Sequence, residues 1–169
     1  MKPSIVGIVG AHNSGKTTFI TKVISILKEE GIRVCGIKHD PKGKSETDVK
    51  GKDSYRMYSS GAEQVILVSP KKITSFVRNN GNEDIKEIID KFVMEDIDIV
   101  ILEGFKNYKG FDKFEVIRKE ENRDLLLKNS DELKGVITDY YDYHLKFDIN
   151  NPNEFVKFLI ENYIKRKKE

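Results

Sequence analysis

A single cysteine, Cys35, is all the thiol chemistry this chain carries, so no intrachain disulfide can form. Cys35 lies in an apolar run, the setting of a small core residue rather than a nucleophile. Histidine is almost as scarce. His12, His39 and His144 are the only three, and their spacing is not that of metal ligands, which argues against a site built on Cys and His. Charge of one sign is lacking too: 30 basic residues face 28 acidic ones, a formal net charge of +2. That balance argues against a protein whose work is to coat nucleic acid. The short basic cluster Lys165-Arg166-Lys167-Lys168 reads as a solvated helix end. No apolar run approaches the ~20 residues needed to cross a bilayer, and no secretory signal pattern is visible, so a cytoplasmic location without a membrane partner is expected. Internal repeats and low-complexity segments are absent.

What is present suits one compact domain spanning residues 1–169, with 38% apolar residues to build its core. Ser4 to Val9 is a short Ile/Val-rich run that predicts a buried strand. From Lys16 to Glu30 the apolar residues Phe19, Ile20, Val23, Ile24 and Leu27 recur at helical spacing, and Gly31 stops the helix. Ile32 to Ile37 reads as a second strand, making the opening a βαβ unit with a parallel strand pair. Lys38 to Lys52 is polar and aperiodic, a loop. A short helix is predicted over Lys52 to Ser60. Gln64 to Ser69 and Ile73 to Val77 read as two strands, antiparallel at a sheet edge. Asn82 to Met94 has the amphipathic period of a helix, with Ile85, Ile88, Ile89, Phe92 and Val93 on one side. Ile97 to Leu102, Lys113 to Ile117 and Gly135 to Thr138 predict further strands. Asn151-Pro152-Asn153-Glu154 opens a last helix reaching about Lys165. Alternating strands and helices predict an α/β three-layer fold, a mostly parallel central sheet flanked by helices, with ligands at the C-terminal strand ends.

Gly10-Ala11-His12-Asn13-Ser14-Gly15-Lys16-Thr17-Thr18 fits the pattern G-x-x-x-x-G-K-[ST], set between a buried strand and an amphipathic helix as that pattern requires. The spacing has a chemical reason. Glycines let successive backbone N–H groups point at phosphate oxygens, and the helix N-terminus adds its partial positive charge. Lys16 reaches the β- and γ-phosphates as a point charge, and Thr17 offers a hydroxyl to Mg²⁺. The candidate phosphate ligands are therefore Gly10, Asn13, Ser14, Gly15, Lys16, Thr17 and Thr18, on a P-loop NTPase fold. His12 and Asn13 also suit simple turn positions.

A triphosphate site needs an acidic residue near Mg²⁺, usually at the end of a neighbouring strand. Glu103, after Ile99-Val100-Ile101-Leu102, has that position and can orient a metal-bound or attacking water, or simply cap a turn. Asp98 starts the same strand at its other end and reads as structural. Asp40 and Asp48 sit in the 38–52 loop, at the switch position of nucleotide hydrolases, and each is either a Mg²⁺ ligand or a solvated loop charge. Thr138-Asp139 ends an apolar strand. A carboxylate there can accept from guanine N1–H and the 2-amino group, donors that adenine does not present. The N-K-x-D guanine motif is absent, and a strand-end aspartate also serves to cap turns.

In order along the chain come Gly10 to Thr18; Lys38-His39; Asp48-x-x-Gly51-Lys52-Asp53-Ser54-x-Arg56 with Gly61-Ala62; Glu103-Gly104-Phe105-Lys106; Lys113-Phe114-Glu115-Val116-Ile117-Arg118; and Thr138-Asp139. Together they resemble the molybdopterin-guanine dinucleotide biosynthesis protein B family over roughly residues 4 to 140. The phosphate loop is common to many families; the combination with the other motifs is far more specific. The resemblance implies a GTP-binding accessory protein with weak GTPase activity, a homodimer, assisting the guanylyltransferase that attaches GMP to molybdopterin. Molybdopterin itself is a candidate ligand. Phosphate-site roles carry to Gly15, Lys16, Thr17 and Thr18, the base-site role to Thr138 and Asp139, and the acidic strand-end role to Glu103. Arg56 can pair with a phosphate or pterin-phosphate, or with Asp53 at a helix start. Lys106, Glu115 and Arg118 shape the site, the dimer interface or the core. One departure stands out: Lys38-His39-Asp40-Pro41-Lys42 holds one histidine where family members often carry more, so no histidine role is carried over. Two rival classes remain, a P-loop small-molecule kinase, for which no arginine-rich lid is evident, and a dimeric switch ATPase or GTPase.

Overall fold

The computed structural model describes residues 2–81 and 84–164. In chain order its elements are β1 (Ser4–Gly10), α1 (Lys16–Glu29), β2 (Val34–Lys38), α2 (Asp53–Ser59), β3 (Gln64–Ser69), β4 (Lys72–Val77), α3 (Ile85–Phe92), β5 (Ile99–Glu103), β6 (Asp112–Ile117), a 3-10 turn (Lys119–Glu121), β7 (Leu133–Thr138), β8 (Lys146–Asp148) and α4 (Asn153–Asn162). The chain forms two compact units, one from Met1–His39 with Val93–Glu169, the other from Asp40–Phe92.

The first unit is a six-stranded sheet in the order β2-β5-β1-β6-β7-β8. Every pairing in it is parallel. Its central strands read as unbroken apolar runs because both faces are covered: Val6, Ile8 and Val9 of β1 and Ile99 to Leu102 of β5 are all at most 1% exposed. Helices α1 and α4 flank the sheet, and their apolar stripes share one core with it, through Phe19, Val23 and Leu27 of α1 and Phe155, Val156 and Leu159 of α4. The Phe155 ring lies at the heart of that core, 5.5 Å from the ring of Phe19 and 5.0 Å from those of Phe114 and Phe147. A second cluster forms from Ile117, Leu125, Leu133 and Val136. At the start of α4 the Asn151 side chain accepts from the backbone N–H and side-chain amide of Asn153, and so carries the capping role its sequence suggests.

In the second unit β3 and β4 pair antiparallel through a two-residue turn at Pro70-Lys71. The Arg78 guanidinium ties the hairpin to α2, donating to the carbonyls of Tyr58 and Ala62 and lying 4.5 Å from the centre of the Tyr58 ring.

Three expectations need correction, and one strand, β8, has no counterpart among those expected from the sequence. The hairpin is antiparallel but forms its own two-stranded sheet instead of an edge of the main one. Strands β1 and β2 run parallel but are not neighbours, because β5 enters between them; the βαβ rule fixes handedness and leaves room for a later strand. Strand β8, three residues long, is too short to show a period. Phe92, placed on the apolar side of its helix, is 53% exposed, and only Ile85 and Ile89 of α3 are buried. The expected helix start at Asn82, the helix end near Lys165 and the basic cluster 165–168 lie outside the described residues.

Truncating Phe155 removes the ring that three others pack against and leaves a cavity under α1 and α4. Phe155→Ala is expected to cost about 3–5 kcal/mol of unfolding free energy, read as a lower urea midpoint with an unchanged slope.

Candidate functional site

Strand β1 ends at Gly10, and α1 begins at Lys16 with Gly15 as its N-cap. Between them the backbone folds tightly. Asn13 has φ +60° and Gly15 φ +91°, both in the left-handed region that asparagine and glycine tolerate. Gly10 is required for a second reason: a Cβ there would stand 2.7 Å from the Val116 carbonyl oxygen and 2.9 Å from Ser14 Oγ. Ser14 is buried, its N–H donating to the Ala11 carbonyl at 3.3 Å. The loop therefore wraps around Lys16, whose ammonium donates to the carbonyls of Gly10 (3.2 Å) and Ala11 (2.5 Å) and to Ser14 Oγ (3.4 Å). Burial pulls the Lys16 ammonium below its ordinary pKa; Glu103 and Glu121 oppose that shift, while Lys38 and Arg123 add to it.

A cleft of about 370 Å³ opens over this turn, lined by His12 to Thr18, Lys38 and Glu103. Glu103 reaches it from the end of β5. Its Oε1 accepts the Thr17 hydroxyl at 2.8 Å and pairs with the Lys38 ammonium at 3.5 Å. The observed strands end one residue later than the sequence suggests, so Lys38 and Glu103 are the last residues of β2 and β5 and stand in register across the pair. No group of three or more His, Cys, Asp or Glu side chains able to hold a metal occurs among the described residues. A hydroxyl and one carboxylate side by side, facing a phosphate loop, are instead the donor set that suits Mg²⁺, which keeps several waters and takes its remaining ligands from phosphate.

On the other side of β1 the sheet continues through β6 and β7, so Thr138 and Asp139 end two strands away from the loop, about 10 Å at the usual strand spacing. Thr138 is buried, and its Oγ1 accepts the N–H groups of Tyr140 (3.2 Å) and Tyr141 (2.9 Å). Asp139 is exposed, and its Oδ1 accepts the Lys119 N–H at 3.1 Å. Both therefore shape the turn at the end of β7.

Between the two ends sits Arg118. Its Nη1 lies 3.9 Å from where a Cβ would stand on Gly15, and its buried Nε has no hydrogen-bond partner among the described residues. Glu115, fully buried on β6, is satisfied by Arg123 Nη1 (2.7 Å) and the N–H groups of Leu126 and Leu127, and so anchors the segment after the 3-10 turn. Lys113, 1% exposed, pairs with Glu132 at 2.7 Å and donates to the Lys106 carbonyl. Asp98 accepts the Arg33 N–H at 2.8 Å, the structural use its position suggests. Cys35 is half-buried, and burial pushes its thiol pKa up, away from nucleophilic use.

The remaining candidates belong to the second unit. Asp40 Oδ2 accepts the Ser45 N–H at 2.6 Å, and that bond chiefly holds its carboxyl down at about 2. Asp48 Oδ1 accepts from the Val49 N–H and the Ser54 hydroxyl. Arg56 faces Asp53 at 3.9 Å, with both side chains largely exposed.

Residues 5–139 match the model of the family described as molybdopterin guanine dinucleotide synthesis protein B. A Methanocaldococcus jannaschii protein assigned as a molybdopterin-guanine dinucleotide biosynthesis adapter is 31% identical over 83% of this chain and 57% of its own length. The adapter protein of the same name from Haemophilus influenzae is 35% identical over 60% of this chain and 57% of its own length. The chain thus spans little more than half of each of these relatives. A crystal structure of a molybdopterin-guanine biosynthesis protein B superposes with a TM-score of 0.73 at 30% identity, covering 93% of this chain and 98% of that one. Bacillus subtilis MobB, at 24% identity, shares the fold with a TM-score of 0.72 over 97% of this chain and 99% of its own.

The crowding at Gly10 is specific enough to test. Gly10→Ala is expected to lose about 1–3 kcal/mol of stability, because the methyl meets a carbonyl oxygen in a central strand; urea melts of the variant and the parent check this.

Proposed function

The chain belongs to the molybdopterin guanine dinucleotide synthesis protein B family, and from that premise we propose that it is an adapter of molybdopterin guanine dinucleotide biosynthesis that binds GTP with Mg²⁺. The observation that carries the nucleotide reading is the cleft over Gly10 to Thr18, where Lys16 stands within the loop and Glu103 meets Thr17 at 2.8 Å. Phosphate oxygens take the place of the loop carbonyls as acceptors for Lys16, since a bond between two charged groups is stronger than one to a neutral carbonyl. N–H groups at the start of α1 complete the cradle. Bound Mg²⁺ would neutralise phosphate charge, with Thr17 and Glu103 as the residues that hold it. The base end lies at Asp139, across β1 from Glu103, where a carboxylate oxygen can turn to guanine. Over the loop itself Glu103 is the one acidic side chain lining the cleft, an arrangement that fits slow hydrolysis and an accessory role beside an enzyme that attaches GMP to molybdopterin. Among the described residues no helix is long and apolar enough to cross a membrane, and a cytoplasmic setting fits this biosynthetic role.

The β3–β4 hairpin supports a homodimer. Ile66, Leu67, Val68 and Ile73 are 50–71% exposed, and neighbours along a strand point to opposite faces, so both faces of the hairpin are apolar. A two-stranded hairpin is marginal alone in water, and a second copy of the same surface covers it with matching chemistry.

Calorimetric titration with non-hydrolysable GTP and ATP analogues in Mg²⁺ tests the nucleotide reading. The GTP analogue should bind more tightly. Lys16→Ala should weaken it at least ~10-fold, and Asp139→Asn should shrink the preference over ATP. Equal binding of the two analogues by the parent protein would remove guanine from the reading. For the dimer, Val68→Asp should shift the sedimenting species from dimer to monomer while the circular dichroism spectrum stays unchanged; a parent protein that sediments as a monomer refutes it.

A further inference from the structure

Lys38 is the one cleft residue with no part in the phosphate loop, the acidic strand end or the base end. It closes β2, two strand spacings from β1, and β5 with Glu103 lies between. Its ammonium already leans over that intervening strand to within 3.5 Å of Glu103 Oε1, the same oxygen that accepts the Thr17 hydroxyl. The side chain is 61% exposed, and among the described residues the pairing with Glu103 is what holds it. With the lysine side of the pair in solvent, the pairing holds weakly. Lys38 lines the same cleft as Lys16, which places two ammonium groups on one small volume. With two lysines and a single carboxylate in its lining, the cleft is short of negative charge. The phosphoryl group nearest Thr17 and Glu103 is the terminal one of a chain whose earlier phosphates lie along the loop.

We propose that Lys38 is the residue by which the cleft distinguishes a nucleoside triphosphate from a diphosphate, its ammonium leaving Glu103 to contact the terminal phosphoryl group. The inference rests on the nucleotide-binding reading above and extends it to one residue. Lys16 and the loop N–H groups serve both nucleotides. Lys38 has a phosphate partner only when the third phosphate is present, and otherwise stays with Glu103. It acts as a positioning and specificity residue, and no bond is made or broken through it.

The test is the ratio of two dissociation constants, for a non-hydrolysable GTP analogue and for GDP, measured by calorimetry with Mg²⁺ in both arms. Lys38→Met should lower the triphosphate preference about tenfold and leave GDP affinity within about twofold of the parent. Lys38→Arg, which keeps the charge, should restore most of the preference. Lys22→Met, which removes an exposed charge from α1 outside the cleft, measures the effect of net charge alone and should leave the ratio unchanged. Equal weakening of both nucleotides by Lys38→Met would mean that Lys38 acts only by holding Glu103, and overturns the proposal. An unchanged ratio, or the same drop in Lys22→Met, also overturns it. If the parent protein binds neither nucleotide, the nucleotide reading itself fails and this inference falls with it; that outcome appears in the parent titration before any variant is compared.

Discussion

Strand β1 is hydrogen-bonded along both sides, to β5 through Ser4–Ile8 and to β6 through Val6–Gly10. With both faces buried as well, it cannot slip by one residue without turning Val6 and Ile8 out of the core. The site inherits its geometry from this lock. Gly10 opposes Val116 in the register, which sets the distance at which the loop leaves the sheet, and Ile8 opposes Glu103, which sets where the carboxylate stands. The phosphate loop needs no side-chain cap for α1, because the strand delivers the backbone to the helix start at a fixed point.

Around this lock the polar groups divide by burial. Glu115 and Lys113 lie inside and are satisfied by fixed partners, an arginine and two N–H groups for the first, a glutamate and a carbonyl for the second. Breaking such a pair leaves a charge stranded in a medium that cannot solvate it. Both belong to the Lys-x-Glu-x-x-Arg stretch, and their work is to fasten the segments beyond β6 to the sheet. Glu103, Thr17 and Lys38 lie at the strand and helix ends, where Glu103 takes the Thr17 hydroxyl and the exposed Lys38 ammonium. The same two residue types thus give rigidity below the strand ends and line the cleft at them.

Much of this was readable in the chain. The glycine-rich turn at Gly10 to Gly15, the helix after it and the central strands each carry a local signal of spacing and apolar period, and the structure bears out those elements and the parallel sheet. The misses share one cause. That β5 enters between β1 and β2, and that the hairpin forms a separate sheet, are facts about pairing between distant segments, which local periodicity does not encode. Lys38 illustrates the point for the site. The sequence shows it in the Lys38-His39 motif without a role, and a role emerges from its register with Glu103, 65 positions later in the chain. Arg118 is similar, since its nearness to Gly15 follows from β6 lying beside β1. In the second unit Asp40 and Asp48 were ambiguous as loop aspartates, and the structure shows their carboxylates bonded within their own loop, a local preference of aspartate that composition cannot tell from ligand binding.

The place of β1 in the sheet also sets a clock on synthesis. Strand β1 is third across the sheet, and both of its neighbours are translated some hundred residues after it. At about 5–20 residues per second, the finished phosphate motif waits on the order of 5–20 s outside the ribosome before β5 and β6 emerge to hold it. During that interval it has its sequence but no shape, and the exposed Ile and Val of β1 are open to chaperones or to misplaced pairing. A nascent chain stalled short of residue 117 would carry every residue of the glycine-rich turn and lack the strands that shape it.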